Sequence, residues 1–272
     1  MDLRTALLQG QQMLEAARIE VPRLTAEVLL AHAIGCDRVW LYAHSDEELR
    51  EVWWIHYGRY LHQRLQGKPT QYITGVQEFY GREFRVTPAV LIPRPETEHS
   101  VEAALPFSTG RVADLGTGSG AIGITLSLET KAQVTCTDIS ESAVRVACEN
   151  ARRLKSTARF LVCDLGSALA SASFDLVISN PPYVPDAGNE NMQREVLDHE
   201  PPLAIFGGFD GLDLYRRLIP EAARLLKPGG RLVMEIGWLA SAQVGAMLGG
   251  WTELETKPDL AGIPRVVIAT RP

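Results

Sequence analysis

Basic residues are in short supply. The 272-residue chain carries 27 Lys+Arg against 33 Asp+Glu, a formal net charge of −6 at pH 7. A protein that grips nucleic acid by its phosphates needs a basic face, so this balance points away from a nucleic-acid partner. Cysteine is scarce too. Cys36, Cys136, Cys148 and Cys163 are the whole set, and no two stand in a CxxC spacing, which argues against a zinc site or a disulfide framework. His199-Glu200 opens like a zinc-protease motif, but Pro201 and Pro202 follow and no second histidine arrives at the required spacing. Long apolar runs are also missing: no stretch reaches the roughly 18 residues of a membrane span. The start, Met1-Asp2-Leu3-Arg4-Thr5, mixes charges where a secretory signal would be apolar. The expectation is a cytoplasmic protein that uses no metal and no membrane. Hydrophobic residues at 46% and charged residues at 22% exclude a disordered or fibrous chain.

At about 100–200 residues per domain, the length allows one domain or two unequal ones. The patterning divides it. Up to about residue 68 the signal is helical. Leu3, Ala6, Leu7, Met13, Leu14 and Ala17 line one face, and a second apolar run from Thr25 to Ile34 ends at Gly35. Ser45-Asp46-Glu47-Glu48 reads as an N-cap with first-turn carboxylates, which predicts a third helix over about 46–66. Trp40, Trp53 and Trp54 belong to this region and are expected in its core. Residues 79–86 alternate about Gly81 as a short hairpin. Pro93 and Pro95 then hold the backbone extended, and Glu96 or Thr97 can cap a helix over about 98–107. From Arg111 short apolar strands alternate with helices, which predicts a parallel sheet covered on both faces. The expected boundaries are 1–72 for a helical domain, 73–97 for a hairpin linker and 98–272 for an α/β domain.

Two motifs sit at strand ends in that α/β region. Asp114-Leu115-Gly116-Thr117-Gly118-Ser119-Gly120 follows the first strand, and Asp138 ends the next one, 22 positions after Gly116. Glycines let the backbone turn and approach a ligand, and a carboxylate at that spacing suits the hydroxyls of a ribose. Gly116-x-Gly118-x-x-Ala121 also fits a dinucleotide fingerprint, so a nicotinamide cofactor competes at this point. Asp114 would repel a pyrophosphate but could pair with a ligand ammonium group. Asp164, ending the third strand, could receive an adenine amino group or cap a turn. Ribose, adenine and amino-acid ammonium together describe S-adenosyl-L-methionine. The loop resembles motif I of Rossmann-like, seven-stranded S-adenosylmethionine-dependent methyltransferases.

The second motif, Asn180-Pro181-Pro182-Tyr183, follows the strand Leu176-Val177-Ile178. A planar amide or aromatic amine is a poor nucleophile because its nitrogen lone pair is delocalised. The Asn180 side-chain oxygen and the Pro181 carbonyl could hold its two N–H groups, prolines stiffen that carbonyl, and Tyr183 could stack on the flat group. The motif points to a planar nitrogen and leaves amide and nucleobase both open. Gln71-Tyr72-Ile73-Thr74-Gly75, Leu91-Ile92-Pro93-Arg94-Pro95-Glu96-Thr97-Glu98, the Gly116 loop, Asn180–Tyr183, Glu200-Pro201-Pro202-Leu203-Ala204, Gly207–Leu212 and Glu235-Ile236-Gly237-Trp238 occur in this order. Together they resemble the release factor glutamine N5-methyltransferase family (PrmC, also called HemK) over essentially the whole chain. That resemblance implies a helical domain joined by a hairpin to the methyltransferase domain. It also implies methylation of the GGQ glutamine of class I peptide chain release factors; a monomer is the separate expectation.

The resemblance places Asn180 and Tyr183 on the glutamine, with Pro181 and Pro182 between them. The cofactor would be held by Asp114, Gly116, Thr117, Gly118, Ser119, Gly120, Asp138, Asp164, Leu165 and Asn180. Two positions depart from the family pattern: Leu165 replaces a common aromatic, and Leu239 and Ala240 stand where a glutamine often follows. Glutamine methylation of a large-subunit ribosomal protein is the nearest alternative, and amino-methylation of a nucleic-acid base the more distant one.

Overall fold

Every helix of the first 75 residues begins or ends where its sequence supplies a donor, an acceptor or a bend. A computed structural model of the chain describes residues 1–187, 192–238 and 240–272; Leu239 lies outside the described residues. The chain divides into two compact units, one of Met1–Gly75 with Gln193–His199 and one of Val76–Met192 with Glu200–Pro272.

In the first unit, α1 (Leu3–Ala16) is capped by the Asp2 side chain, which accepts from the Thr5 amide at 2.7 Å. The next helix, α2 (Pro22–Ile34), starts on a proline and stops at left-handed Gly35. A short α3 (Arg38–Ala43), capped by Asp37, precedes α4 (Glu51–Leu65) and α5 (Thr70–Thr74). Leu3, Leu14, Leu29, Leu30, Tyr57 and Leu61 form the core, with Trp40 and Trp53 packed against it. Trp54 is more exposed, contrary to the expectation that all three tryptophans are core residues. The expected third helix starts five residues late. Ser45 and Glu47 give their carbonyls to Arg4 and Leu3, so the supposed cap is tied to the start of the chain instead.

In the second unit, β1 (Val76–Phe79) and β2 (Arg82–Arg85) form an antiparallel hairpin. Then come α6 (Glu98–Ala104), β3 (Arg111–Leu115), α7 (Ala121–Glu129), β4 (Gln133–Asp138), α8 (Glu141–Leu154), β5 (Arg159–Val162) and β6 (Phe174–Ser179). In chain order α9 (Arg194–His199) follows and belongs to the first unit, where Glu195 pairs with buried Arg64. The second unit continues with α10 (Asp213–Leu225), β7 (Leu226–Glu235), α11 (Ser241–Met247), β8 (Thr252–Pro258) and β9 (Pro264–Thr270). The strands form one seven-stranded sheet in the order β5-β4-β3-β6-β7-β9-β8. Pairs from β5 through β7 are parallel, and β9 is antiparallel to both β7 and β8.

Strand residues alternate between two apolar layers, as a sheet covered on both faces requires. Val112, Leu176, Ile178, Val233 and Ile268 face one cluster with Ile124, Leu126 and the hairpin's Phe79 and Phe84. Ala113, Val177, Leu232, Met234 and Val267 face the other, with Tyr215, Leu218 and Leu225. Parallel strands starting from central β3 and running to both sides bring their carboxyl ends to one edge, where the chain reverses direction and ligands bind. Among the described residues, no helix is long and apolar enough to cross a membrane.

A packing test follows from the first unit. A Cβ on Gly10 would run into the Tyr57 phenol. Although alanine favours helix over glycine, Gly10→Ala is expected to destabilise this unit by about 1–3 kcal/mol through overpacking. Denaturant unfolding measures it, and an unchanged or raised midpoint would contradict the packing described.

Candidate active site

A cavity opens over the carboxyl edge of the sheet. Gly116–Ser119 after β3, Asp138–Ser140 after β4, Asp164 and Leu165 after β5, and Ser179–Pro182 after β6 line it, with 89–91, Pro93, Arg94 and Thr97 across from them. Gly116 (φ +74°) and Gly118 (φ +57°) take left-handed backbone, and a Cβ on either would enter open space. Side chains there would be strained and would fill the cradle.

The sequence offered Asp114 as a ligand group, and the structure places it behind the glycine loop. Asp114 is fully buried and does not line the cavity. Its Oδ2 accepts from Thr117 Oγ1 at 2.5 Å and from the Gly123 amide at 3.0 Å, which fastens the loop to the first turn of α7. Gly120 likewise packs against Ile124 and Ala147 and does not face the cavity. Asn150, missed in the sequence, braces the loop from behind: its Nδ2 donates to the Ser119 and Arg85 carbonyls, joining the loop to the hairpin.

Asp138 does line the cavity. Its two oxygens accept from the Gly118 and Ser140 amides, each at 2.9 Å. A carboxylate has about four lone-pair positions, so acceptor capacity remains for a vicinal diol. Burial raises its pKa, opposed by those amide hydrogen bonds. Asp164 sits in an ion pair with Arg217 at 2.5 Å. Leu165 holds φ +47° while its carbonyl accepts from Thr137 Oγ1 at 2.7 Å, so it contributes an apolar wall. Glycines without side chains, a carboxylate with unused lone pairs and apolar walls fit the adenosyl part of S-adenosyl-L-methionine.

Around Asn180 the strand ends are tied together. Ser179 Oγ donates to the Leu115 carbonyl at 2.6 Å, fixing the end of β6 against β3. Asn180 Nδ2 donates to Thr97 Oγ1 at 3.0 Å, and Thr97 Oγ1 donates to Glu235 Oε2 at 2.7 Å. Thr97 therefore serves Asn180 and Glu235 and makes no side-chain cap for α6. Burial pushes the Glu235 carboxyl up, opposed by the Thr97 hydroxyl and the Arg265 charge. Tyr183 is not among the residues lining the cavity. Its hydroxyl donates to Glu235 Oε1 at 3.3 Å and its ring packs beside Gly237, so the side chain is held toward β7. Across the cavity, buried Glu200 accepts from the Ile92 amide at 3.0 Å and from Arg94 at 2.5 Å, holding the Pro93–Pro95 segment in place. The 207–211 loop packs on the backbone of Tyr183, and at Gly211 (φ +76°) a Cβ would strike the Tyr183 carbonyl. Glu200, Thr97 and Glu235 stood in recognised segments, but nothing in the sequence assigned them these contacts.

The Asp114 environment makes a pH prediction. Burial carries its carboxyl up to about 6, against hydrogen bonds from Thr117 and Gly123. The folded pKa lies above the unfolded value, so the folded state holds the proton more tightly. Asp114 therefore lowers stability as pH rises through the window from about 4 to about 6. In urea titrations at several pH values, the unfolding free energy of the wild type should fall relative to Asp114→Asn across that window. Parallel curves would contradict it.

Comparison with known proteins gives the family and the fold. The PrmC N-terminal domain family matches residues 5–75 and the methyltransferase small domain family matches residues 99–199. The chain is 45% identical to a release factor glutamine methyltransferase of Koribacter versatilis, covering 100% of this chain and 99% of that protein. It is 43% identical to one from Moorella thermoacetica, with the same coverage. Among solved structures, the T. thermophilus 16S rRNA N2 G1207 methyltransferase in complex with AdoMet and guanosine aligns with a TM-score of 0.54. The identity is 20%, over 72% of this chain and 50% of that one. A methyltransferase from Pyrococcus furiosus aligns with a TM-score of 0.53 and 17% identity, over 71% of this chain and 90% of that one. The structural likenesses establish the methyltransferase fold, and the full-length relatives go further: the chain belongs to the release factor glutamine methyltransferase family.

Proposed function

We propose that this protein transfers a methyl group from S-adenosyl-L-methionine to the side-chain amide nitrogen (N5) of the glutamine in the GGQ motif of class I peptide chain release factors. The observation that carries this reading is the amide of Asn180, anchored by its Nδ2 on Thr97 beside the cavity at the sheet's carboxyl edge. Its Oδ1 is left to accept. S-adenosyl-L-methionine supplies a methyl group already activated on a positively charged sulfur. Asn180 Oδ1 and the Pro181 carbonyl accept the two hydrogens of the substrate amide, which favours a more tetrahedral, more nucleophilic nitrogen. One of those hydrogens leaves as a proton once the nitrogen is methylated. Pro182 stiffens the turn, and Tyr183 holds it to β7 through Glu235. Gly116, Thr117, Gly118, Ser119, Asp138, Asp164 and Leu165 form the cofactor's bed, with Asp138 on the ribose. Asp114 and Gly120 shape the loop from behind.

In this reading residues 1–72 recognise the body of the release factor, 73–97 link, and 98–272 catalyse. The enzyme acts as a monomer in the cytoplasm, where release factors meet ribosomes. The net charge of −6 favours a protein substrate over nucleic acid.

The test uses labelled S-adenosyl-L-methionine with a purified release factor, with large ribosomal subunits and with DNA. Label should go to the release factor and vanish when its GGQ glutamine is replaced. Label on DNA or ribosomal protein alone would overturn the reading. Asn180→Ala should lower transfer about 100- to 1,000-fold, the scale of losing one preorganised partner, with little change in cofactor affinity. Asp138→Asn should do the reverse, weakening cofactor binding about tenfold, as expected for one charged hydrogen bond. If the two variants fail in the same way, the division of roles is wrong.

A further inference from the structure

The orientation of a carboxamide is decided by its partners, because its two ends have nearly the same shape and opposite polarity. Thr97 Oγ1 lies 2.7 Å from Glu235 Oε2 and 3.0 Å from Asn180 Nδ2. A hydroxyl owns one hydrogen, and Glu235 in its ionised form, which the Thr97 and Tyr183 hydroxyls and the Arg265 charge favour, has none to offer. The Thr97 hydrogen therefore goes to Glu235, and only lone pairs remain to face Asn180. The NH₂ half of the Asn180 amide is the half that can meet them. Its Oδ1 is thus turned away from Thr97, and among the described residues no donor reaches it. Glu235 uses its other oxygen to accept from Tyr183, so one carboxylate, only 2% exposed, ties down both ends of the Asn180–Tyr183 turn.

We propose that Thr97 and Glu235 are positioning residues that set which way round the Asn180 carboxamide stands, so that the reacting nitrogen meets an acceptor; the inference rests on the glutamine-methylation reading given above. With the amide reversed, Asn180 would aim N–H groups at a substrate nitrogen that itself has only hydrogens to donate, and the substrate would be turned away. Thr97 selects the substrate's polarity without forming a bond to it, and Glu235 sets the polarity of Thr97.

Valine and serine at position 97 separate this role from packing. Valine keeps the branched shape and loses the oxygen; serine keeps the oxygen and loses the methyl group. Two measurements on the full-length protein are read together. One is the rate of methyl transfer to the release factor at saturating substrates, beside cofactor affinity measured without acceptor. The other is hydrogen exchange of the Asn180 side-chain NH₂ by NMR, assigned by its absence in Asn180→Ala. Thr97→Val should keep cofactor affinity and melting temperature, lower kcat by about tenfold or more with KM little changed, and expose the Asn180 NH₂ to faster exchange. Thr97→Ser should restore both rate and protection. A Thr97→Val rate within about twofold of wild type, equal impairment of both variants, or unchanged NH₂ protection in Thr97→Val would overturn the proposal. Protection that follows this pattern in an enzyme that leaves glutamine unmethylated would support the positioning and sink the substrate reading.

Discussion

A carboxylate taken out of water must find donors inside the protein or give up its charge, and that requirement organises the working edge of this sheet. Asp114, Glu200 and Glu235 are each no more than 3% exposed. Glu200 and Glu235 find donors for both oxygens, while Asp114 satisfies only its Oδ2 and holds its proton up to about pH 6. Asp114 draws in Thr117 and Gly123, Glu200 draws in Ile92 and Arg94, and Glu235 draws in Thr97 and Tyr183. Leaving such a donor or acceptor unpaired costs about 1–3 kcal/mol, so the segments they join are held together firmly. The glycine loop, the Pro93–Pro95 segment and the turn after β6 are those segments, and they wall the cavity.

The sheet supplies what the carboxylates then refine. Parallel β3, β4, β5 and β6 end at one edge, so residues far apart in sequence meet there by topology alone. The two sides of the cavity have different chemistry. Beside β4 and β5 lie a carboxylate with free lone pairs and an apolar wall, suited to a nucleoside. Beside β6 lie an amide and two prolines, which offer acceptors and few donors. A reaction that joins an activated methyl group to a nitrogen bearing hydrogens needs that division.

Much of this was legible in the sequence because it depends on local rules. Periodicity located the helices α1 and α2 and the alternation of strands and helices from Arg111, and the glycine loop and Asp138 meet at the strand ends where the sequence put them. Long-range contacts were the obstacle elsewhere. Ser45–Glu48 reads as a helix cap, yet its carbonyls serve Leu3 and Arg4. Asp114 carries a charge that suits a ligand, but burial behind the loop makes it an anchor for backbone. Tyr183 stands beside Asn180 in sequence and turns to Glu235 in space. Thr97 looks like a cap, and its partners are 83 and 138 residues away. No spacing rule reaches that far.

In the proposed reaction the edge of this sheet holds a planar amide nitrogen by its hydrogens and delivers it a methyl group. Tandem mass spectrometry of the release factor after reaction with deuterated-methyl cofactor tests it most directly. A single labelled methyl is expected on the GGQ glutamine, with fragment ions placing it on the side-chain nitrogen. Label on a carboxylate, a lysine or the backbone of the release factor would contradict it.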